Sequence, residues 1–292
     1  GQSESESFEK FLKNQQAFIA QLTHELRTPL AIAVGSLRRA SLRSTEIPSN
    51  SAEHMQVASQ ELKRMARLID HLTLLTDIDT GSQRWSVRSV SVADILVLWL
   101  EQISDQARQR LVVSVNENLS QVIFDVDPEA LIVVLNNLLD NSLRYSPEDS
   151  PVVLLVEEKS ECVRFFIADW GYGIPQNLLE HVFDRFRRLE EHRDPSRADG
   201  SGLGLAVSRS LLGLMNGQIS FLPHDSVGIP DSPSTVAQLS ISGRKDPGEL
   251  CPRQLGKGLE LENPQKAYAA GRLFAYLERI DEFNGGDLLW LN

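Results

Sequence analysis

The apolar period of the chain changes once, near residue 81, and that change limits the possible folds more than any other feature. Before it, apolar residues recur every three or four positions, as on a helix with one buried face. From about residue 8 to 44 the stripe runs Leu12, Ile19, Leu22, Leu26, Leu30, Ala33 and Leu37. "STEIPSN" makes a turn, and Met55, Ala58, Leu62, Met65, Ile69 and Leu72 then form a coiled-coil seam. Such a helical hairpin has a narrow core and leaves a second apolar edge, so two copies are expected to close into a four-helix bundle. After "DTGSQRW", the segments "RLVVSVN", "QVIFDV", "PVVLLVEE" and "CVRFFIADW" read as strands. They are interleaved with helical patterns near 92–108, 128–145 and 203–215, the alternation of a mixed sheet covered by helices.

The fold class expected is therefore α+β: an antiparallel helical hairpin forming a dimeric four-helix bundle, followed by an α/β sandwich. Residues 1–80 make the hairpin, 81–87 a linker, 88–243 the sandwich and 244–292 a C-terminal accessory segment. Within that segment "AYAAGRLFAYLERI" reads as an amphipathic helix. A length of 292 residues with 41% hydrophobic content allows two cores of ordinary size. The net charge of −11 argues against nucleic acid or an anionic membrane surface as a partner and favours a basic protein surface. Cys162 and Cys251 stand in no metal-ligand spacing, which fits a reducing compartment. No apolar run approaches the roughly 18 residues of a membrane span. The chain begins with Gly, so we expect a cytoplasmic portion of a longer protein, any membrane link lying upstream.

Four groups of residues carry chemistry. In "FIAQLTHELRTPLAIAV", Leu22 and Leu26 lie on the buried stripe and turn His24 toward water, with Glu25 beside it and Thr28 one turn on. Pro29 lacks an N–H, frees the Glu25 carbonyl and bends the helix next to the histidine. A neutral imidazole can attack phosphorus when a carboxylate accepts a hydrogen bond from its other nitrogen. In "LNNLLDNSLRYS", Leu131, Leu135, Leu138 and Ser142 face inward, while Asn137, Asn141 and Arg144 share another face. Amide oxygens suit a hard cation and a guanidinium suits phosphate. In "ADWGYGIP", Asp169 ends an apolar strand at a turn where Gly171 and Gly173 permit close approach, placing a buried acceptor for an exocyclic amine. In "DGSGLGLAVSRSLL", Gly200, Gly202 and Gly204 lead into a helix, an arrangement that suits phosphate. Between the two glycine turns, "VFDRFRRLEEHRDPSRA" has the composition of a mobile lid anchored by Phe183 and Phe186. Taken singly, each group also fits a solvated helix face or loop.

Together and in this order, they resemble the sensor histidine kinases of two-component systems over residues 8–242. "HELRTP" resembles the phosphoacceptor box, "NLLDNSLRY" the asparagine box, "DWGYGIP" and "GSGLGLA" the glycine boxes and "VFDRFRR" the phenylalanine box. The resemblance implies an ATP-binding sandwich of the gyrase and Hsp90 type and ATP with Mg²⁺ as cofactors. It implies autophosphorylation of His24, with Glu25 as proton acceptor and Thr28 orienting water in dephosphorylation of the partner. Asn141 would be the magnesium ligand, supported by Asn137, while Arg144 faces phosphate and Tyr145 flanks the nucleotide. Asp169 would read adenine, and Leu203 lies within the second glycine box. The implied partners are a second copy of the chain and the receiver domain of a response regulator. Thr23 and Ser142 depart from the family's usual residues but are small. The final strand, where Thr235 stands, is reached through the Pro-rich "DSVGIPDSPSTVAQLSI". A scaffold that binds ATP only as a conformational ligand, or another ATPase of the superfamily, would not need His24 and Glu25 on a hairpin.

Overall fold

A computed structural model describes residues 22–23, 25–38, 48–82, 85–115, 119, 122–159, 162–189, 200–223, 231–244, 269, 272, 273 and 277. Residues 25–38 are helical (α1), and the helix continues on both sides of Pro29, whose side chain is buried with Ala33 and Ser36. The second helix, α2, spans Pro48–Thr80. The expected stripes divide into two. Ala33 and Ala58 are buried and Leu22, Leu26, Met65 and Leu72 half-buried, whereas Leu30, Leu37, Met55, Leu62 and Ile69 are 45–59% exposed; the most buried leucines of α2, Leu68 and Leu75, stand outside the expected seam. Met55, Leu62 and Ile69 stand seven residues apart, as do Leu30 and Leu37, so a single chain leaves a heptad seam uncovered on each helix. The rest of α1's expected stripe, before residue 22, lies outside the described residues.

Strand β1 (Arg88–Ser91) leads into α3 (Val92–Gln102), α4 (Asp105–Arg110), β2 (Leu111–Val115), β3 (Ile123–Val126) and α5 (Pro128–Tyr145). The single helix expected over 92–108 is two. Ser104 leaves helical backbone and its hydroxyl accepts from the Ala107 N–H, which starts a new helix. Asp127 caps α5 with Pro128 in its first turn. Then come β4 (Val152–Lys159), β5 (Cys162–Asp169), α6 (Gly204–Leu214), β6 (Gln218–Phe221) and β7 (Thr235–Arg244). The sheet order is β1-β3-β7-β5-β4-β2, with β6 also paired to β7. Among the described residues only β2 and β4 run parallel; the other pairs are antiparallel.

On β5 the two faces alternate, as strand geometry requires. Val163, Phe165 and Ile167 enter the core under α3, α5 and α6. Phe166 and Ala168 enter a second cluster on the opposite face, together with Ala269 and Leu273. Helix α2 lies against the sandwich: Leu68 and Leu75 join its main core, Arg67 pairs with Asp140 at 3.6 Å and Arg185 with Asp79 at 2.8 Å.

Candidate functional site

Helix α5 buries Leu131, Leu135 and Leu138 against the sheet and turns Asn137, Asn141 and Arg144 into a cavity of about 640 Å³, a volume that suits a nucleotide. Tyr145, Asp169, Gly173, Gly200, Gly202 and Gly204 also line it. Residues far apart in sequence thus meet around one space. Phe183 and Leu203 do not line it: both are buried in the core behind it. Phe183 lies 5.5 Å from the Phe221 ring and under the Arg209 guanidinium, so it anchors the segment that follows rather than touching a ligand. Phe186 and Gly171 shape neighbouring backbone.

Asp169 closes one end of the cavity and is only 3% exposed. Its carboxylate accepts from the Gly171 N–H at 3.0 Å and from the Ser142 and Thr235 hydroxyls. Burial pushes its pKa up to about 6, opposed by hydrogen bonds from Ser142, Gly171 and Thr235 and by the charge of Arg110. At neutral pH it is a charged acceptor held in place by three donors. The turn beyond it is tight. A Cβ on Gly171 would lie 2.4 Å from the Tyr145 carbonyl oxygen, and the Tyr172 N–H donates to that same oxygen at 3.3 Å. Gly171→Ala is therefore expected to lower stability by about 1–3 kcal/mol, since backbone must move to admit the methyl. Thermal unfolding of the variant checks this, and an unchanged midpoint would show that the turn yields freely.

At the other end, Asn137 donates to the Gly204 carbonyl at 3.1 Å and to the Ser208 hydroxyl at 3.3 Å, clamping the start of α6 to α5. Gly202 has φ +69°, and a Cβ there would lie 2.7 Å from the Phe186 carbonyl carbon. Phe186 in turn donates its N–H to Gly202 at 2.8 Å. The glycine turn is thus fastened on both sides next to Arg144, whose Nη1 is buried with no hydrogen-bond partner. An uncompensated guanidinium nitrogen in a cavity calls for an anion.

Some residues of the site carry no recognisable signal in the sequence. Arg64, Arg67 and His71 of α2 form a wall of the cavity. Burial lowers the pKa of His71, whose side chain meets that of Asn137, so the imidazole is neutral at pH 7. Ser142 and Thr235 prove to be donors to Asp169. His24 lies outside the described residues, as does 190–199 of the expected lid. Glu25 is half-buried and Thr28 exposed on α1.

A cavity walled by an asparagine helix, two glycine turns and a buried strand-end aspartate defines an ATPase sandwich of one class. Residues 126–245 match the family described as "Histidine kinase-, DNA gyrase B-, and HSP90-like ATPase". Residues 14–81 match the "His Kinase A (phospho-acceptor) domain". With both in one chain, the protein belongs to the sensor histidine kinases. It is 28% identical over 213 residues to sensor histidine kinase WalK of Bacillus subtilis, covering 72% of this chain and 35% of WalK. Against BaeS of Escherichia coli the identity is 30%, covering 71% of this chain and 44% of BaeS. The chain thus spans less than half of these relatives. The fold is shared with Acinetobacter baumannii histidine kinase AdeS, at TM-score 0.57 and 21% identity over 75% of this chain and 97% of that one. It is shared too with histidine kinase ThkA in complex with response regulator TrrA, at TM-score 0.59 and 19% identity, over 82% and 65% of the two chains. Among the described residues, no helix is long and apolar enough to cross a membrane.

Proposed function

We propose that the chain binds ATP in the cavity below α2, phosphorylates His24 and passes the phosphoryl group to an aspartate on the receiver domain of a response regulator. The observation that carries this reading is the joining of Asp169, Asn141 and the buried, unsatisfied Nη1 of Arg144 in one cavity, in a chain that also matches a phospho-acceptor domain over residues 14–81. In this reading Asp169 accepts from the adenine amine, Arg144 meets phosphate and Tyr145 flanks the nucleotide. The glycine turn at 200–204 lies over the phosphates. His24 attacks the terminal phosphorus as ADP leaves, and Glu25 takes the imidazole proton; the work is mostly positioning and charge stabilisation. The described residues hold no group of three or more His, Cys, Asp or Glu able to bind a metal. A single neutral amide oxygen, that of Asn141, fits Mg²⁺ arriving with its nucleotide, where the ion would neutralise phosphate charge. The uncovered seams of α1 and α2 support a homodimer with 1–80 as the bundle, 81–87 as linker and 88–243 as the ATP-binding unit. ThkA, which shares the fold, was captured with a response regulator. Incubation with labelled ATP and Mg²⁺ tests the reading: an acid-labile, alkali-stable label on His24 is expected, and an unlabelled or acid-stable product refutes it.

Thr28 separates two chemistries of the hairpin. It is exposed one turn beyond position 24, where a hydroxyl can orient water toward a docked phospho-aspartate. Replacing it removes a methyl and a hydroxyl from an exposed helical position, with a structural cost within about 0.5 kcal/mol. Thr28→Ala is expected to keep ATP-dependent labelling and to lose most phosphatase activity toward the regulator. The decay of purified phospho-regulator with ADP and either protein decides it; equal rates would reduce Thr28 to a surface residue.

A further inference from the structure

The family match ends at residue 245, yet part of the chain beyond it is packed into the fold. Ala269, Arg272, Leu273 and Leu277 are helical, and their spacing of three, four and eight places them on one face. Ala269 is 4% exposed and Leu273 0%. Ala269 and Leu273, with Leu277 beside them, lie on the sheet face opposite α5 and α6, against Val153, Leu155, Phe166, Ala168 and Val236. Those residues come from β4, β5 and β7, so the sandwich has a third layer.

That layer touches the backbone that carries Asp169. Trp170 follows Asp169 and points to the opposite face, where it packs against the cluster containing Leu273. Its indole N–H donates to the Asp231 carbonyl at 2.9 Å, and the Asp231 carboxylate meets Arg272 at 3.5 Å. Asp231 has φ +56°, a left-handed conformation that its surroundings must hold. Three residues further on, the Ser234 N–H donates to the Asp169 carbonyl at 2.8 Å, and Thr235 is the strand partner of Asp169 and a donor to its carboxylate. The turn at 231–235 is thus held by the C-terminal helical residues at one end and holds Asp169 at the other.

We infer that the C-terminal helical residues, through Leu273 and Arg272, are positioning residues for base recognition: they clamp Trp170 and the 231–235 turn from behind and so aim Asp169 into the cavity. The inference rests on the reading of Asp169 as the acceptor for the adenine amine. Of the two contacts, Leu273 carries more. It is wholly buried, whereas the Arg272 pair is long and has an Asp231 side chain 71% exposed.

The test is the preference for ATP over inosine triphosphate, which has the same ribose and phosphates but a carbonyl in place of the amine. Loss of folded protein lowers the number of sites for both nucleotides alike, whereas misplacement of Asp169 changes the ratio of affinities. In the full chain, Leu273→Asp is expected to narrow the wild-type ATP preference about fivefold or more, and Leu273→Ala about two- to threefold, while Leu273→Met, which conserves volume, retains it. Titration calorimetry gives the ratio, and circular dichroism confirms the fold of each variant. If Leu273→Asp does not fold, Leu273→Ala decides alone. A folded variant with the wild-type ratio overturns the inference. Asp169→Asn measured alongside separates the two ideas: if it loses the preference while the Leu273 variants keep it, only the C-terminal role falls; if it too keeps the preference, the base-reading role falls and this inference with it.

Discussion

His24→Gln is expected to abolish ATP-dependent labelling of the protein while leaving ATP affinity within about a factor of two of wild type. The two properties separate because the cavity is lined from α2, α5, the ends of β5 and β7 and the glycine turns, and none of its described walls comes from residues 22–38. Glutamine keeps a polar side chain at a position that the apolar spacing of the sequence turns toward water, so stability should change little. What it lacks is a nitrogen lone pair basic enough to displace ADP from phosphorus. Exposure to labelled ATP followed by denaturing electrophoresis reads the first half of the prediction, and calorimetric titration the second. Wild-type labelling of the variant would remove His24 from the mechanism. Loss of binding together with labelling would instead mean that the hairpin helps to build the nucleotide pocket.

The contrast between hairpin and pocket also marks what sequence can and cannot disclose. Helices α2 and α5 were legible because long periodic stripes leave few alternatives, and Asp127 and Pro128 announce the start of α5 in both composition and structure. Strands β1 and β6, "RSVS" and "QISF", were not, since four residues of mixed polarity carry no usable period. The break at Ser104 is hidden for a related reason: a serine within an apolar pattern reads as a tolerated helical residue, and only the folded chain shows its hydroxyl capping the next turn. The exposed half of each hairpin stripe looked the same as the buried half, because sequence does not say which apolar face meets its own chain. The third layer had left a trace. "VVLLVEEK" and "CVRFFIAD" are apolar on both faces, as strands covered on both sides are. The site motifs were readable through Asp169 and the asparagine helix. Ser142, Thr235 and His71 were not, for each acquires its role only when separate elements dock: Ser142 and Thr235 by converging on one carboxylate, His71 by the lie of α2 across α5.

Asp169→Asn is expected to weaken ATP binding by about 2 kcal/mol or more, roughly thirtyfold, without lowering the thermal midpoint. The geometry supplies the reason for the loss. The carboxylate already takes the Gly171 N–H and the hydroxyls of Ser142 and Thr235 as donors, and an entering amine would be one more. An asparagine can keep the Gly171 N–H on its oxygen while the Ser142 and Thr235 hydroxyls turn to accept from its NH₂, but that NH₂ then meets the entering amine donor against donor. In a site this buried, an unmatched donor costs the full desolvation of the group. Stability moves the other way. Burial raises the Asp169 pKa from 3.8 to about 6, so the folded state holds that proton more tightly than the unfolded state does. The resulting stability is complete below the unfolded value and is lost as pH rises through about 6; above it, the buried charge is a cost that asparagine does not carry. A site that keeps an unfavourable charge for the sake of a ligand should therefore gain stability and lose affinity in the same substitution. Calorimetric titration with ATP and a melting curve at pH 8 read both. Affinity within a factor of two of wild type would mean that Asp169 does not contact the base, and a lower midpoint with weakened binding would mean that the carboxylate chiefly holds the turn at Gly171 together.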